Sequence, residues 1–178
     1  DAQTDTLENI TIMANDGSNS PKMSSDGRYL SFISSATNLV SGDSNSNPDV
    51  FRYDFQTDTF ENITLSHLIL DGEWEPADIS DNGRYITFYD YNISAFNIML
   101  YDRQLDTMSN ITNGSADSYT PHISDDGRYI VFPSDAPNLV SGDVNGYTDV
   151  FLYDLNTTSI ENLTLSGDWY SAPRSISA

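Results

Sequence analysis

The sequence predicts an all-β protein built from repeated four-stranded antiparallel units of about 50 residues. Two motifs recur three times along the chain, and no stretch keeps the 3.6-residue periodicity of an amphipathic helix. The turn-and-strand motif is SDGRYL at residues 25–30, DNGRYI at 81–86 and DDGRYI at 125–130. The second motif is DVFRYD at residues 49–54, NIMLYD at 97–102 and DVFLYD at 149–154. A proline opens each unit, at Pro21, Pro76, Pro121 and Pro173.

Each unit reads as four short strands, and the third unit shows them in order. The first strand follows Pro121, and an Asp-Gly turn, a strong hairpin signal, leads into the second strand at residues 128–132. Ile130 and Phe132 are two residues apart, so they lie on the same face of that strand. Residues 149–154 form the third strand, a polar turn covers 156–158, and the fourth strand runs through 160–165. The arginines of the turn motif, Arg28, Arg84 and Arg128, are expected to pair with carboxylates of the repeat.

Four strands in about 50 residues, repeated in tandem, are typical of a β-propeller blade. Tandem β-sandwiches need about 7 strands per domain, which this repeat is too short to hold. A β-solenoid has shorter coils and lacks these hairpin turns. We therefore predict one propeller or propeller fragment over residues 1–178, with three full blades and a partial blade at each end. The full units span about 21–75, 76–120 and 121–172, and the partial units 1–20 and 173–178.

These motifs resemble the TolB-type WD40-like (PD40) repeat. The block of residues 138–151, NLVSGDVNGYTDVF, is most similar to secreted bacterial tandem-repeat propellers, and residues 38–51 nearly copy it. The resemblance implies a propeller that is extracellular, at the cell surface or periplasmic. It implies little about activity, because such propellers also occur within peptidases and serve many roles.

The composition excludes several classes of function. The formal net charge is −20 and Lys22 is the only lysine, so the sequence predicts no nucleic-acid binding and no polybasic membrane surface. No apolar run approaches the length of a membrane-spanning helix, and the absence of cysteine excludes disulfides and thiolate chemistry. The 22 Asp against 5 Glu indicate turns, where Asp bonds to nearby backbone.

Two equivalent loops carry alternating oxygen ligands of the kind that calcium prefers. The candidate calcium ligands are Asp43, Asn45, Asn47 and Asp49 in one loop, and Asp143, Asn145 and Asp149 in the other. The loops lack the bidentate Glu of known calcium loops. The alternative is that Asp, Asn and Gly only shape the connection between the second and third strands.

Seven Asn-x-Ser/Thr sequons make the chain a candidate glycoprotein: Asn9, Asn62, Asn92, Asn110, Asn113, Asn156 and Asn162. Four of them, at 9, 62, 110 and 162, hold the same repeat position, so duplication of one motif also explains the excess.

Two further sets are candidate ligand-binding residues. Lys22, His122 and Arg174 each follow the opening proline, on the strand that lines a propeller channel, where they could hold an anion or simply face water. Trp74 and Trp169 lie between blades, where they form a binding platform for sugars or fill the space between the blades.

No catalytic residue is predicted, because the sequence lacks a nucleophile elbow, a phosphate loop and a Ser-His-Asp pattern. The leading interpretation is a non-enzymatic extracytoplasmic propeller for protein association or surface and filament assembly, with calcium as its one candidate cofactor. The alternatives are the propeller portion of a larger peptidase-type enzyme and a carbohydrate-binding propeller. Three blades are too few for a closed ring, so we expect either a longer polypeptide, association of copies, or a composite blade from both chain ends.

Overall fold

A computed structural model describes residues 7–65, 77–92 and 95–165, and all regular structure in these ranges is β. Twelve strands form three antiparallel sheets of four, and each sheet follows the chain from strand to adjacent strand. The predicted all-β architecture of four-stranded blades is confirmed. The described residues contain no helix long and apolar enough to cross a membrane.

Each blade comprises four consecutive strands. The first comprises β1 (Ser18–Met23), β2 (Tyr29–Ser34), β3 (Asp49–Asp54) and β4 (Thr59–Asn62). The second comprises β5 (Asp78–Ile79), β6 (Tyr85–Asn92), β7 (Ala95–Asp102) and β8 (Thr107–Asn110). The third comprises β9 (His122–Ile123), β10 (Tyr129–Ser134), β11 (Asp149–Asp154) and β12 (Ser159–Asn162).

Two boundaries differ from the sequence prediction. β1 begins at Ser18, so Pro21 lies inside the strand and does not precede it. The pairing register of β1 shifts between Asn19 and Lys22, and this irregularity accommodates the proline, which has no N–H to donate. β12 ends at Asn162 and not at residue 165, because the next residues turn their polar groups back onto β11. Residues 7–17 contain no strand.

The Gly-Arg turn of each blade is held by its own polar side chains. In the third blade the Ser124 hydroxyl donates to Asp126 at 2.6 Å, and the same carboxylate oxygen accepts the Arg128 N–H at 2.9 Å. Arg128 then reaches the end of the third strand, where its guanidinium lies 3.0 Å from Asp154. The predicted pairing of the arginines is confirmed in all three blades, because Arg28–Asp54 and Arg84–Asp102 repeat it at 3.0 and 2.7 Å.

Neighbouring blades meet where a tyrosine ring lies against a glycine of the next turn. A Cβ on Gly83 would lie 2.6 Å from ring atoms of Tyr29, and one on Gly127 would lie 2.7 Å from Tyr85. Both glycines have positive φ, at +63° and +73°, which glycine adopts without strain. We call this tyrosine-on-glycine contact the seam; it joins blade 1 to blade 2 and blade 2 to blade 3.

The core consists of the inward-facing positions of the central strands. Phe51, Phe132 and Phe151 are fully buried, and the two central strands of blades 1 and 3 each contribute one ring to a stacked phenylalanine pair. In blade 2 the equivalent partners are Phe88 and Met99. The Phe32 and Phe51 ring centroids are 5.5 Å apart, and those of Phe132 and Phe151 are 5.8 Å apart. The loops between the second and third strands emerge from the ends of these buried strands.

Candidate functional site

The loop between β2 and β3 brings two buried carboxylates together. Its first part is anchored by Asn38, whose Oδ1 accepts the Asn15 N–H at 2.9 Å, and by Leu39 and Val40, which pack against the core. After this anchor the chain turns through Gly42, whose φ is +91°. Asp43 and Asp49 follow at the two ends of the loop, and they are 8% and 1% exposed.

Residues of β4 and the segment after it complete this cluster. The Asn62 Nδ2 donates to Oδ2 of Asp43 and to Oδ2 of Asp49, both at 3.1 Å. The Thr64 hydroxyl donates to Asp49 Oδ1 at 2.7 Å and accepts the Val50 N–H at 2.9 Å. The Thr64 N–H donates to Asn62 Oδ1 at 3.0 Å, which fixes the orientation of the amide. We call the two carboxylates with this Asn and Thr the carboxylate cluster of blade 1.

The other two predicted ligands shape the loop. Asn45 Oδ1 accepts the Asn47 N–H at 2.8 Å, which closes an Asx turn, and Ser46 between them has a φ of +57°. Both side chains are more exposed than the two aspartates. The spacing therefore identified the loop and its carboxylates, whereas Asn62 and Thr64 were missed as members of the cluster. Their signal was the Asn-Ile-Thr motif, which we interpreted as a sequon.

The third blade repeats the cluster. Asp143 and Asp149 are 7% and 1% exposed. Asn162 Nδ2 donates to Asp149 at 2.9 Å and lies 3.5 Å from Asp143, and Thr164 donates to Asp149 at 2.7 Å. The Asn145 Nδ2 also donates to Asp149 Oδ2, at 3.0 Å. Tyr147 stands in the place of Asn47 and is 52% exposed, so that position does not recur as a ligand.

The second blade holds a neutral version of the same arrangement. Asn97 replaces the aspartate at the start of the third strand, and its Oδ1 accepts the Thr112 hydroxyl at 3.1 Å and the Gly114 N–H at 3.0 Å. The Thr112 hydroxyl accepts the Ile98 N–H at 3.1 Å, as Thr64 and Thr164 do for their strands. The connection from β6 to β7 is short, and no counterpart of Asp43 exists.

Burial shifts the titration of these carboxylates. It raises the pKa of Asp49, an effect that the bonds from Thr64 and Asn62 oppose and the nearby charge of Asp43 reinforces. Burial and the charge of Asp149 likewise raise the pKa of Asp143. Among the described residues, no Lys, Arg or His forms an ion pair with the four aspartates, and no three Asp, Glu or His side chains converge.

The sequons fall into two groups. Asn62 and Asn162 are half-buried, and the amide nitrogen to which a glycan would attach is bound to carboxylates. Four others have exposed side chains: Asn9, Asn110, Asn113 and Asn156. Asn92 ends β6, and its side chain lies outside the described residues.

The basic residues predicted after the opening prolines share their register position with an acidic residue in the second blade. Lys22, Asp78 and His122 hold the same register position, opposite Ser31, Thr87 and Val131. His122 Nδ1 lies 3.3 Å from Asp78 Oδ2, and the same oxygen accepts the Ile123 N–H at 3.2 Å. His122 therefore contacts the neighbouring blade. The other candidate ligand-binding residues, Arg174, Trp74 and Trp169, lie outside the described residues.

A cluster of arginines at the first seam was missed. Arg52 is 4% exposed and lies over the Tyr29 ring at 4.2 Å, beside a pocket of about 320 Å³ that Arg84 and Arg103 also line. Glu61 accepts bonds from Arg52 at 3.2 Å and from Arg103 of the next blade at 2.8 Å. Leu100 takes the position of Arg52 at the second seam, so this ion network distinguishes one seam from the other. The sequence signal was Arg52, which is the only arginine in the three copies of the second motif, DVFRYD, NIMLYD and DVFLYD.

Comparison with solved structures identifies the architecture. TolB from Acinetobacter baumannii superposes with a TM-score of 0.62 at 23% identity, over 90% of this chain and 35% of that chain. The chain has the fold of a TolB-like β-propeller. The resemblance inferred from the repeat motifs is thereby confirmed at the level of the fold.

Other propellers superpose on this one at lower identity. TolB from Agrobacterium tumefaciens gives a TM-score of 0.51 at 20% identity, over 79% of this propeller and 47% of that chain. The β-propeller domain of the Trilobed protease from Pyrococcus furiosus gives 0.58 at 13%, over 84% and 43%. This propeller thus spans less than half of each of these chains. Neither a protein-family model nor a curated protein matches the sequence.

Proposed function

We propose that this chain is a non-enzymatic, extracytoplasmic propeller segment that associates with further propeller blades, and that it serves protein association or surface and filament assembly. The observation that carries the proposal is the outer face of the first blade. That face has the features of a seam, and no described residue covers it.

Met23 and Gly27 define this outer face. Met23 is 55% exposed, whereas Ile79 and Ile123, at the same register position in the other blades, are each 4% exposed. Around Gly27, Met23 Sδ at 3.9 Å is the nearest described atom to the position of an added Cβ. The equivalent Gly83 has a tyrosine ring at 2.6 Å. The exposed Met23 and the uncovered Gly27 therefore match the side of blades 2 and 3 that a neighbouring blade covers.

The third blade carries the complementary half of a seam. Tyr129 occupies the position of Tyr29 and Tyr85, is half-buried, and lies under the Arg128 guanidinium at 4.6 Å. No glycine of the described turns lies against its ring. As the occupant of this face we propose a second copy of the chain, with its Tyr129 packed on Gly27 in a head-to-tail contact.

Sedimentation of the 178-residue chain over a range of concentrations tests the proposal. We expect concentration-dependent association that weakens at least tenfold in Gly27→Ala and in Tyr129→Ala. Gly146→Ala is the matched control, because Gly146 has a φ of +72° and no atom within 4 Å of the added Cβ. A monomer at every concentration, or association that both variants leave unchanged, would refute it, as would a natural polypeptide with its own blade ahead of β1.

The extracytoplasmic location is part of the proposal. The resemblance to secreted repeat propellers, the strongly acidic composition and the exposed sequons support it. Protease treatment of intact source cells, followed by immunodetection, tests it. We expect the protein to be degraded under conditions that leave a cytoplasmic marker intact, and equal protection of both proteins would argue against this location.

A further inference from the structure

The carboxylates of blades 1 and 3 have no described cation as a partner. Asp43 and Asp49 are buried and share one amide nitrogen, Asn62 Nδ2, at 3.1 Å each. Their remaining bonds in the described structure come from neutral donors. Two like charges that lie close together and are buried away from water are unfavourable unless a positive charge compensates them.

An unsatisfied oxygen marks the same place. In blade 1, Asp43 Oδ1 is buried and has no hydrogen-bond partner among the described residues, and Asp43 as a whole is more than nine-tenths buried. Buried carboxylate oxygens normally accept at least one hydrogen bond, so this atom indicates a ligand that completes the cluster.

The second blade shows that the fold itself does not require these charges. Asn97 keeps the bond to the following threonine and the contact of that threonine with the third strand, as Asp49 does. A neutral amide thus supports the same local structure. The acidic pairs occur in blades 1 and 3, where the loop between the second and third strands is long enough to include a second aspartate.

The available donors define the class of ligand. The side chains of the two loops that can bind a metal are carboxylates, amides and hydroxyls, and the loops contain neither a thiolate nor an imidazole. Oxygen donors favour a hard divalent cation with a high coordination number, which is calcium before zinc or copper.

We propose that the loops 43–49 and 143–149 each bind one calcium ion, through Asp43 with Asp49 and through Asp143 with Asp149. The ion compensates the paired carboxylates and fixes the loop against its blade. The remaining coordination positions are filled by loop oxygens and water.

Calorimetry on the chelator-treated 178-residue chain tests this inference. We expect two calcium ions per chain and, in 10 mM CaCl2 against NaCl of equal ionic strength, a Tm higher by roughly 5–10 °C, for sites with dissociation constants of about 1 mM. Asp49→Asn is expected to bind one ion, and Asp49→Asn with Asp149→Asn none. Asp125→Asn, which removes a charge outside both loops, should bind two.

The variants also separate a metal site from a purely structural role. In chelator the double variant should melt within roughly 3 °C of the unmodified chain, since it reproduces the asparagine of the second blade. If it does not fold, Asp43→Asn with Asp143→Asn provides the same comparison. The inference is overturned if 10 mM calcium neither binds nor raises the Tm, if magnesium acts equally, or if the double variant keeps the full rise.

Discussion

Substitution of the turn glycines by alanine measures the seam between blades directly. Gly83 and Gly27 occupy the same position of the same turn, with φ of +63° and +72°. An alanine in the left-handed region costs about 1–2 kcal/mol, and this cost is common to both substitutions. The effect on the unfolded chain is also common to both, so it cancels in their difference.

The difference comes from the tyrosine ring. The added Cβ at Gly83 would lie 2.6 Å from Cδ2 and Cε2 of Tyr29, and this ring cannot easily move, because Arg28 and Arg52 lie over it at 4.7 and 4.2 Å. Overpacking of this kind costs about 1–3 kcal/mol. We therefore expect Gly83→Ala to lower the free energy of unfolding by about 1–3 kcal/mol more than Gly27→Ala.

Urea unfolding at low micromolar concentration, where association is weakest, is the assay. Gly127→Ala should fall between the other two, since Tyr85 is half-buried and its ring atoms lie at 2.7 and 3.2 Å from the added Cβ. Differences below 0.5 kcal/mol between Gly83→Ala and Gly27→Ala would show that the tyrosine-on-glycine contact does not join the blades as described.

Two further predictions concern single side chains. Peptide mapping of the natural protein should find any glycan at exposed sequons such as Asn110 and none at Asn62, because both N–H groups of Asn62 are bound to carboxylates; an occupied Asn62 would contradict the described cluster. The Arg28 guanidinium lowers the pKa of Asp54 from its ordinary 3.8 to about 2, so the stabilisation from this ion pair is present above pH 4 and is lost as the pH falls to about 2. A carboxyl NMR titration measures this pKa, and a value at or above 3.8 would refute the pairing in solution.

Much of the fold was predictable because its determinants are local. The Asp-Gly and Asn-Gly turns require positive φ, and alternation fixes which face of each strand is buried. The Arg–Asp pairs were also predictable, since the hairpin register places Arg28 beside Asp54 whenever the turn forms. These contacts depend on the sequence within one blade.

The candidate site was only partly predictable. The spacing of Asp43 and Asp49 indicated a shared loop, but their convergence on Asn62 depends on the pairing of β3 with β4. The sequence presented Asn62 as a sequon, and its role in the cluster became apparent only from the register that places it opposite Phe51.

The sequence by itself determined the repeat, the four strands of each blade, the hairpin turns and the positions of the acidic loops. Tertiary structure decided which repeats differ in environment. Met23 and Ile79 are equivalent in sequence position, yet one is 55% and the other 4% exposed, because burial depends on whether a neighbouring blade covers the face. Arg52 and Glu61 likewise form an interblade network only because Arg103 of the next blade reaches them. Such contacts join residues distant along the chain, and no local pattern encodes them.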